Sequence, residues 1–258
     1  MALQTSGTIS ISNINTQLGR GTYATSSLNE SALRTLAEVP SGTIALSNFY
    51  GKPPFSTGTW TQSVAGTYNF TVPSGIYIIS YVVIGGGAGG GGGSEKDPYC
   101  SGGGGGGAGA LMTGTLNVSP GQVLSCVVGA GGSAWPAFNQ SGGSTPGSST
   151  INTTTVVAAN GGKPTTSGGT WWRPGRGTSG TNSVNGTSGG FVTASSSAQN
   201  GGAGGYVPGY STGGVGGTGS GAAGVGPGAG GGGGATTGNN GGNYAGGPGN
   251  DGMVRIIW

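Results

Sequence analysis

Ile76-Tyr-Ile-Ile-Ser-Tyr-Val-Val-Ile84 runs directly into Gly85-Gly-Gly-Ala-Gly-Gly-Gly-Gly-Gly93. The first half is a continuous apolar run rich in β-branched residues, which predicts a strand buried on both faces. The second half cannot hold a stable helix or sheet by itself, because glycine loses more backbone entropy in either than any other residue. It can adopt an extended helix of the polyproline-II type, with three residues per turn and a rise of about 3.1 Å. A lone helix of this kind has no internal hydrogen bonds. Several side by side bond to one another, because without side chains their backbones touch. Each such bond contributes only about 1 kcal/mol net, so the slab has to assemble as a whole.

The same kind of passage recurs at 102–109, 201–205 and 230–234. All but eight of the 67 glycines lie within 85–252. Collagen is excluded, since it needs glycine at every third position with abundant proline. Here there are 13 prolines, and the run 102–107 breaks the period. Disorder is a poor fit too, because 5 Trp, 9 Tyr and 5 Phe are spaced along a chain with few charges. The expected fold is therefore mainly β plus stacked polyproline or polyglycine-II helices, a glycine-rich sandwich. Almost no α-helix is expected in 85–252. Short helical turns belong to an N-terminal attachment segment, 1–53, ahead of the strand-based glycine-rich domain, 54–258.

Further strands follow from alternation and turn signals. Trp60-Thr-Gln-Ser-Val64 and Gly66-Thr-Tyr-Asn-Phe-Thr-Val72 alternate and end at Pro73-Ser-Gly75. Leu116-Asn-Val118, the turn Ser119-Pro-Gly121 and Val123-Leu-Ser-Cys-Val-Val128 predict a hairpin. Residues 150–158 predict one strand, and Met253-Val-Arg-Ile-Ile-Trp258 the last. In the first segment, Ser6-Gly-Thr-Ile-Ser-Ile-Ser-Asn13 is echoed by Ser41-Gly-Thr-Ile-Ala-Leu-Ser-Asn48. Each copy predicts a Ser-Gly turn, a short extended arm, and a helical turn capped by Ser12 or Ser47. Between them Ser27-Leu-Asn-Glu30 fits a capping box. Leu28, Ala32, Leu33 and Leu36 line one face of a short helix that Pro40 stops. Fifty residues with so little core read as a small N-terminal subdomain or, by preference, as a piece that docks on another protein.

Charge and composition exclude most chemistry. The eight basic and five acidic residues are scattered, without the clustered stripe that nucleic acid requires. No apolar run is long enough to cross a membrane as a helix, and the first residues carry no secretory pattern. No His exists to act as a base or a zinc ligand. Glu95 and Asp97 sit two apart beside Lys96 and read as a solvated turn rather than a catalytic pair or a calcium site. No phosphate-binding loop motif occurs. The sequence thus predicts no enzyme, no catalytic residue, no cofactor and no metal. Cys100 and Cys126 are the only thiols, and assembly in a cytoplasm argues against their pairing.

The informative residues are aromatic and interrupt the glycine stretches. They are Tyr99, Trp135, Phe138, Trp171, Trp172, Arg173, Tyr206 and Tyr210, with Tyr244 further on. Tyr, Trp and Arg are the usual anchors of binding surfaces, and Tyr and Trp offer apolar faces for sugars. Counting excursions from the strand 76–84 places turns at 95–101, 134–140, 170–176, 206–211 and 236–244, with the third return near Phe191. By this parity all the aromatic loops lie at one end and all the strands at the other. The loops then form a receptor-binding tip, unless they serve only as lids on the glycine slab. A surface that binds ice is a poorer reading, since a regular Gly-x-x repeat is missing.

Tyr81-Val-Val-Ile-Gly-Gly-Gly-Ala-Gly-Gly, Val118-Ser-Pro-Gly-Gln-Val-Leu, Val128-Gly-Ala-Gly-Gly, Ala159-Asn-Gly-Gly and Asp251-Gly-Met-Val-Arg-Ile-Ile-Trp258 together resemble the glycine-rich domain of bacteriophage tail proteins. The chain is also similar to the tail-fibre tip adhesins of T-even-type phages, in which polyglycine-II helices form a sandwich and tip loops bind host receptors. The resemblance implies a virion protein assembled in the host cytoplasm. Residues 1–53, whose Leu-Ser-Asn-Phe-Tyr-Gly-Lys resembles phage leader segments, would join other tail or fibre proteins. The tip loops would meet a host surface protein or glycan. The alternative implied is a purely structural baseplate or fibre protein.

Overall fold

The computed structural model describes residues 3–39, 41–52, 57–96, 99–137, 144–152, 156–159, 182–183, 191–192, 199–237 and 242–258. The strands among them are β1 (Thr59–Gln62), β2 (Gly66–Thr71), β3 (Ile78–Ile84), β4 (Ser94–Lys96), β5 (Tyr99–Ser101), β6 (Leu111–Asn117), β7 (Val123–Val128), β8 (Ser149–Asn152), β9 (Val156–Ala159), β10 (Phe191–Val192) and β11 (Met253–Ile257). One antiparallel sheet has the order β1-β11-β3-β6 and a second β2-β7-β8-β9. A small third sheet has the order β10-β5-β4. The fold is mainly β with two short helices, and no helix occurs among the described residues of 85–252.

The two large sheets share one core because alternate residues of each face the other. Ile79 and Val83 of β3 with Val254 and Ile256 of β11 meet Phe70 of β2, Leu124, Cys126 and Val128 of β7, and Ile151 of β8. Each fully buried aliphatic side chain contributes about 1.5–3 kcal/mol. Phe70 sits between Trp60 and Trp258, with ring centroids 5.5 and 5.3 Å away. Burial pushes the Cys126 thiol up to about 11, and the residue is free rather than bonded to Cys100.

Three strand expectations need correction. β3 is buried on both faces only beside the glycine run. Its outer face there, Val82 and Ile84, is covered by Met253 and Val207, whereas Ile78 is 55% exposed. β6 and β7 are not a hairpin. The turn forms as its residues require, with Gln122 N–H donating to Ser119 C=O (3.0 Å) and Gly121 at φ +78°. It carries the chain across the core from one sheet to the other, because β6 pairs β3 while β7 pairs β2. Residues 150–158 divide into the antiparallel pair β8 and β9. An alternating Thr/Val stretch supplies period two but says nothing of where it folds back.

Past Ile84 the ladder changes character. Gly85, Ala88 and Gly91 donate to the carbonyls of Ala110, Gly107 and Gly104. Gly87, Gly90 and Gly93 donate to those of Asn250, Gly247 and Tyr244. Successive bonds to one neighbour are three residues apart, where a β-ladder has two. Each segment therefore bonds in several directions around its axis. Residues 228–236 bond to six surrounding segments, 85–93, 102–110, 199–205, 212–217, 219–225 and 243–252. All of 228–236 is buried. A Cβ added at Gly230, Gly231, Gly232 or Gly233 would stand 2.1, 2.0, 2.3 or 1.9 Å from the carbonyl oxygens of Gly106, Gly247, Val215 and Gly103. Gly230 and Gly233, three apart, face the same neighbour. The interior of this body is backbone, which is why few apolar side chains suffice.

Two polar side chains join the sheets to the glycine body. The buried Ser149 hydroxyl donates to Ile84 C=O (2.6 Å) and accepts from Gly129 N–H (3.0 Å). The Asp251 carboxylate accepts from Ala65 N–H and Gly131 N–H, each at 2.8 Å. Replacing Ser149 by Ala leaves the buried Gly129 N–H without an acceptor, and a lost buried partner costs about 1–3 kcal/mol. The expected result is a lower urea midpoint with an unchanged slope, measured by equilibrium unfolding.

The N-terminal segment has more core than its sequence promised. Helices α1 (Ile11–Gln17) and α2 (Ser31–Ala37) and a 3-10 turn at Leu46–Phe49 enclose Leu3, Ile9, Ile14, Leu33, Leu36, Ala37 and Phe49. The echoed motif runs from an extended arm into a helical turn as expected, but each cap lies two residues earlier than Ser12 and Ser47. Asn13 accepts from Ser10 N–H (3.0 Å), and Asn48 accepts from Ala45 N–H (2.8 Å). The caps are thus Ser10 and Ala45, with Ser12 and Ser47 already inside their helices. Glu30 reaches back to Ser27 N–H as expected (2.5 Å), but α2 begins one residue after Glu30. Glu38 ties this segment to the strands, accepting from Tyr77 Oη (2.6 Å) and pairing with Lys52 (2.6 Å). Lys52 and Tyr77 hold its carboxyl below the usual range, and burial pushes Tyr77 up to about 12.

Candidate binding end of the glycine body

The direction of each glycine pass follows from its bonds. Residues 85–93 leave β3, end in β4 and return from β5 as 102–110 into β6. Residues 129–135 run beside 85–93 in the same direction, since Gly132 N–H meets Gly87 C=O and Trp135 N–H meets Gly90 C=O. The end reached by these passes, opposite the large sheets, is the far end. It carries β4, β5 and β10, the stretch 135–137, the bend around 218–220, and residues 236–237 with 242–244. Its turns are fixed locally. Ser133 and Ser144 exchange N–H to Oγ bonds at 2.8 and 3.0 Å. The Thr237 hydroxyl and N–H both donate to Gly242 C=O.

Of the residues singled out from the sequence, Tyr99 and Trp135 lie at the far end. Phe138, Trp171, Trp172 and Arg173 fall outside the described residues. Tyr206 and Tyr210 do not belong to this end. Residues 199–205 run back toward the sheets, with Gly202 N–H on Gly103 C=O and Gly205 N–H on Gly106 C=O. The following loop packs Val207 and Tyr210 on Val82, Ile84 and Met253. Tyr206 is 42% exposed there, and the Arg255 guanidinium lies 6.0 Å from the centre of the Tyr210 ring.

The sequence parity failed at one step. Asn182 and Ser183 lie back beside β6, donating to the carbonyls of Leu111 and Gly109. Phe191–Val192 then pairs with β5 at the far end. The sequence count placed the third return near Phe191, whereas the chain is already back at Asn182 and at the far end again by Phe191, so the loop 206–211 was assigned to the wrong end. Val207 held the usable signal, since an apolar residue among glycines belongs where apolar partners are.

The far end also holds two residues that sequence reading missed, Thr236 and Asn243, in addition to Trp135, which it named. Trp135 Nε1, Thr236 Oγ1, and both Nδ2 and Oδ1 of Asn243 are buried without a hydrogen-bond partner. No other buried side-chain N or O among the described residues lacks one. Thr236 and Asn243 are ordinary polar neighbours of glycine runs in sequence, and nothing there marks them. Among the described residues no three acidic, Cys or His side chains come together, and no helix is long and apolar enough to cross a membrane. Comparison with known proteins gives one family match: the model of the glycine-rich domain covers residues 61–258. No curated protein matches the sequence significantly.

Proposed function

The chain belongs to the family of glycine-rich domain proteins, and from that premise we propose that it is a bacteriophage tail or tail-fibre adhesin that attaches to a host-cell surface through its far-end loops. The observation that carries this reading is the arrangement of passes. A backbone-packed body holds loops at the end opposite the large sheets, and binding residues concentrate on loops held by a rigid scaffold. In this reading each glycine segment is a polyglycine-II helix, supported by the three-residue period of its lateral bonds. The receptor-facing set is Tyr99, Trp135, Phe138, Trp171, Trp172 and Arg173. Tyr206 and Tyr210 leave it because of where they lie.

Residues 1–53 serve as the attachment segment toward other virion proteins, and the protein works in the virion after assembly in the host cytoplasm. No step of this role needs catalysis or a cofactor. The test uses the purified, fluorescently labelled full chain on cells of the bacterium that supports the phage. Saturable binding, blocked by excess unlabelled chain, is expected. Presence of the chain in purified particles with no binding to any susceptible strain makes it a purely structural tail protein. Absence from particles removes the virion reading altogether.

A further inference from the structure

The second large sheet ends at β2, which pairs with β7 alone. Val72 N–H, at the end of that pairing, donates to Gln122 C=O (2.9 Å), so Val72 turns its backbone groups toward β7. Along an antiparallel strand this direction alternates. Phe70, Tyr68 and Gly66 therefore turn theirs toward β7 as well, while Thr71, Asn69 and Thr67 present N–H and C=O outward. These outward groups have no partner among the described residues, and the side chains of Thr67, Asn69 and Thr71 are exposed. The register runs through Gly66–Thr71 without a bulge, and the strand holds no charge and no proline. Bulges, lysines and prolines are the ordinary guards of an edge. The edge of the other sheet at β6 is crossed instead, where Asn182 donates to Leu111 C=O (3.2 Å).

What fits this edge is written in its own residues. Thr67-Tyr-Asn-Phe-Thr71 reads the same by residue type in both directions: threonine, aromatic, asparagine, aromatic, threonine. We propose that β2 is a self-pairing edge, through which two copies of this chain form a symmetric dimer with one sheet running across the seam. The twofold axis passes beside Asn69. Antiparallel pairing then sets Asn69 opposite Asn69 of the second copy, Thr67 opposite its Thr71, and Tyr68 opposite its Phe70. A foreign strand has no reason to match this pattern, whereas a second copy matches it by construction. The contact is isologous and closed, so it gives a dimer rather than a filament.

The pairing satisfies both backbone and side chains. The outward N–H and C=O groups of Thr67, Asn69 and Thr71 meet their counterparts in the hydrogen-bonded pairs of the seam. On the outer face threonine meets threonine, a favourable cross-strand pair. The two Asn69 amides each carry donors and an acceptor, and so match one another. Tyr68 and Phe70 fall on the core face in the alternate pairs, where side chains approach more closely. Phe70 is 5% exposed, and Tyr68 is half-buried with its ring centroid 6.4 Å from that of Trp60. The aromatic row Trp258, Phe70, Trp60 and Tyr68 therefore ends at the seam, and the row of the second copy continues it. No like charges meet there, since neither β2 nor β1, whose Trp60 packs on Tyr68, carries one.

Sedimentation equilibrium of the full chain is expected to show a monomer–dimer equilibrium. Asn69→Lys sets two like charges directly opposite each other and weakens the dimer at least about tenfold. Asn69→Glu does the same. An equimolar mixture of the two variants regains the dimer, because the seam then pairs Lys with Glu. A misfolded chain does not show that rescue. Asn69 is exposed and turns no backbone bond toward β7, so the circular dichroism of both variants matches the wild type. In the wild type the amides of Thr67, Asn69 and Thr71 exchange slowly with deuterium, and in either variant alone they exchange quickly. Wild-type chain that sediments as a monomer at every concentration overturns the proposal. So does a dimer that both single variants keep, which places the contact elsewhere, or a mixture that stays monomeric. Assemblies that go on growing with concentration show a heterologous contact and overturn it equally.

Discussion

Gly233→Ala abolishes the folded state, while Gly217→Ala leaves it intact. At Gly233 a Cβ would lie 1.9 Å from the carbonyl oxygen of Gly103, where ordinary contact is 3.4–4 Å, and no rotamer change relieves the clash, because the obstacle is backbone. Segments 102–110 and 228–236 must separate, and the bonds from Gly103, Gly106 and Gly109 to Gly234, Gly231 and Gly228 separate with them. Since 228–236 touches six neighbours, the displacement cannot be confined to one pair. A cost of about 4–5 kcal/mol or more is expected, against a total stability of about 5–15 kcal/mol for a typical domain. At Gly217 nothing lies within 4 Å of the added carbon and φ is not positive. There the restricted unfolded chain gains about 0.4–1 kcal/mol of stability. Circular dichroism and calorimetry on the two purified variants check the contrast. Two equally stable proteins would show that the segments are not in backbone contact.

Trp171→Ala with Trp172→Ala weakens attachment to host cells at least about thirty-fold and leaves the melting temperature unchanged. Aromatic anchors of an interface commonly contribute about 2 kcal/mol or more each, and 2 kcal/mol is roughly thirty-fold in affinity. Two adjacent indoles followed by Arg173 are costly to leave in water without a use. The competing account makes them lids on the glycine body. It expects the reverse, normal attachment and a lower melting temperature. Both quantities are measured on one double variant, by flow cytometry of labelled protein on cells and by differential scanning calorimetry.

The strands were legible in the sequence because β-branched alternation and turn residues report directly on local structure. Trp60, Phe70, Ile79 and Val254 all lie in strands that the pattern predicted. Pairing was not legible. Ser119-Pro-Gly121 announces a turn, yet whether β6 and β7 then pair with each other or with β3 and β2 depends on which core residues meet across the sheets. The glycine runs announced backbone-to-backbone contact for the same local reason, namely that nothing else can be made of them. Their neighbours, however, are decided by the number of crossings, and placing the third return at Phe191 rather than near Asn182 moved Tyr206 and Tyr210 to the other end. Thr236 and Asn243 were invisible for a third reason. An unpartnered polar atom is a property of surroundings, and the sequence contains no sign of it.

The position of residues 228–258 has a consequence for biosynthesis. They supply the segment enclosed on six sides and also β11, which lies between β1 and β3. During translation everything up to residue 227 leaves the ribosome without the parts that belong at its centre. The nascent chain then carries an unpaired edge on β3 and glycine segments whose N–H groups have only water to bond. Closure is long-range and late, so the interval before it is when aggregation competes. A chain cut short before residue 228 would lack the middle of both the sheet and the glycine body, and such fragments are expected to be cleared by proteolysis.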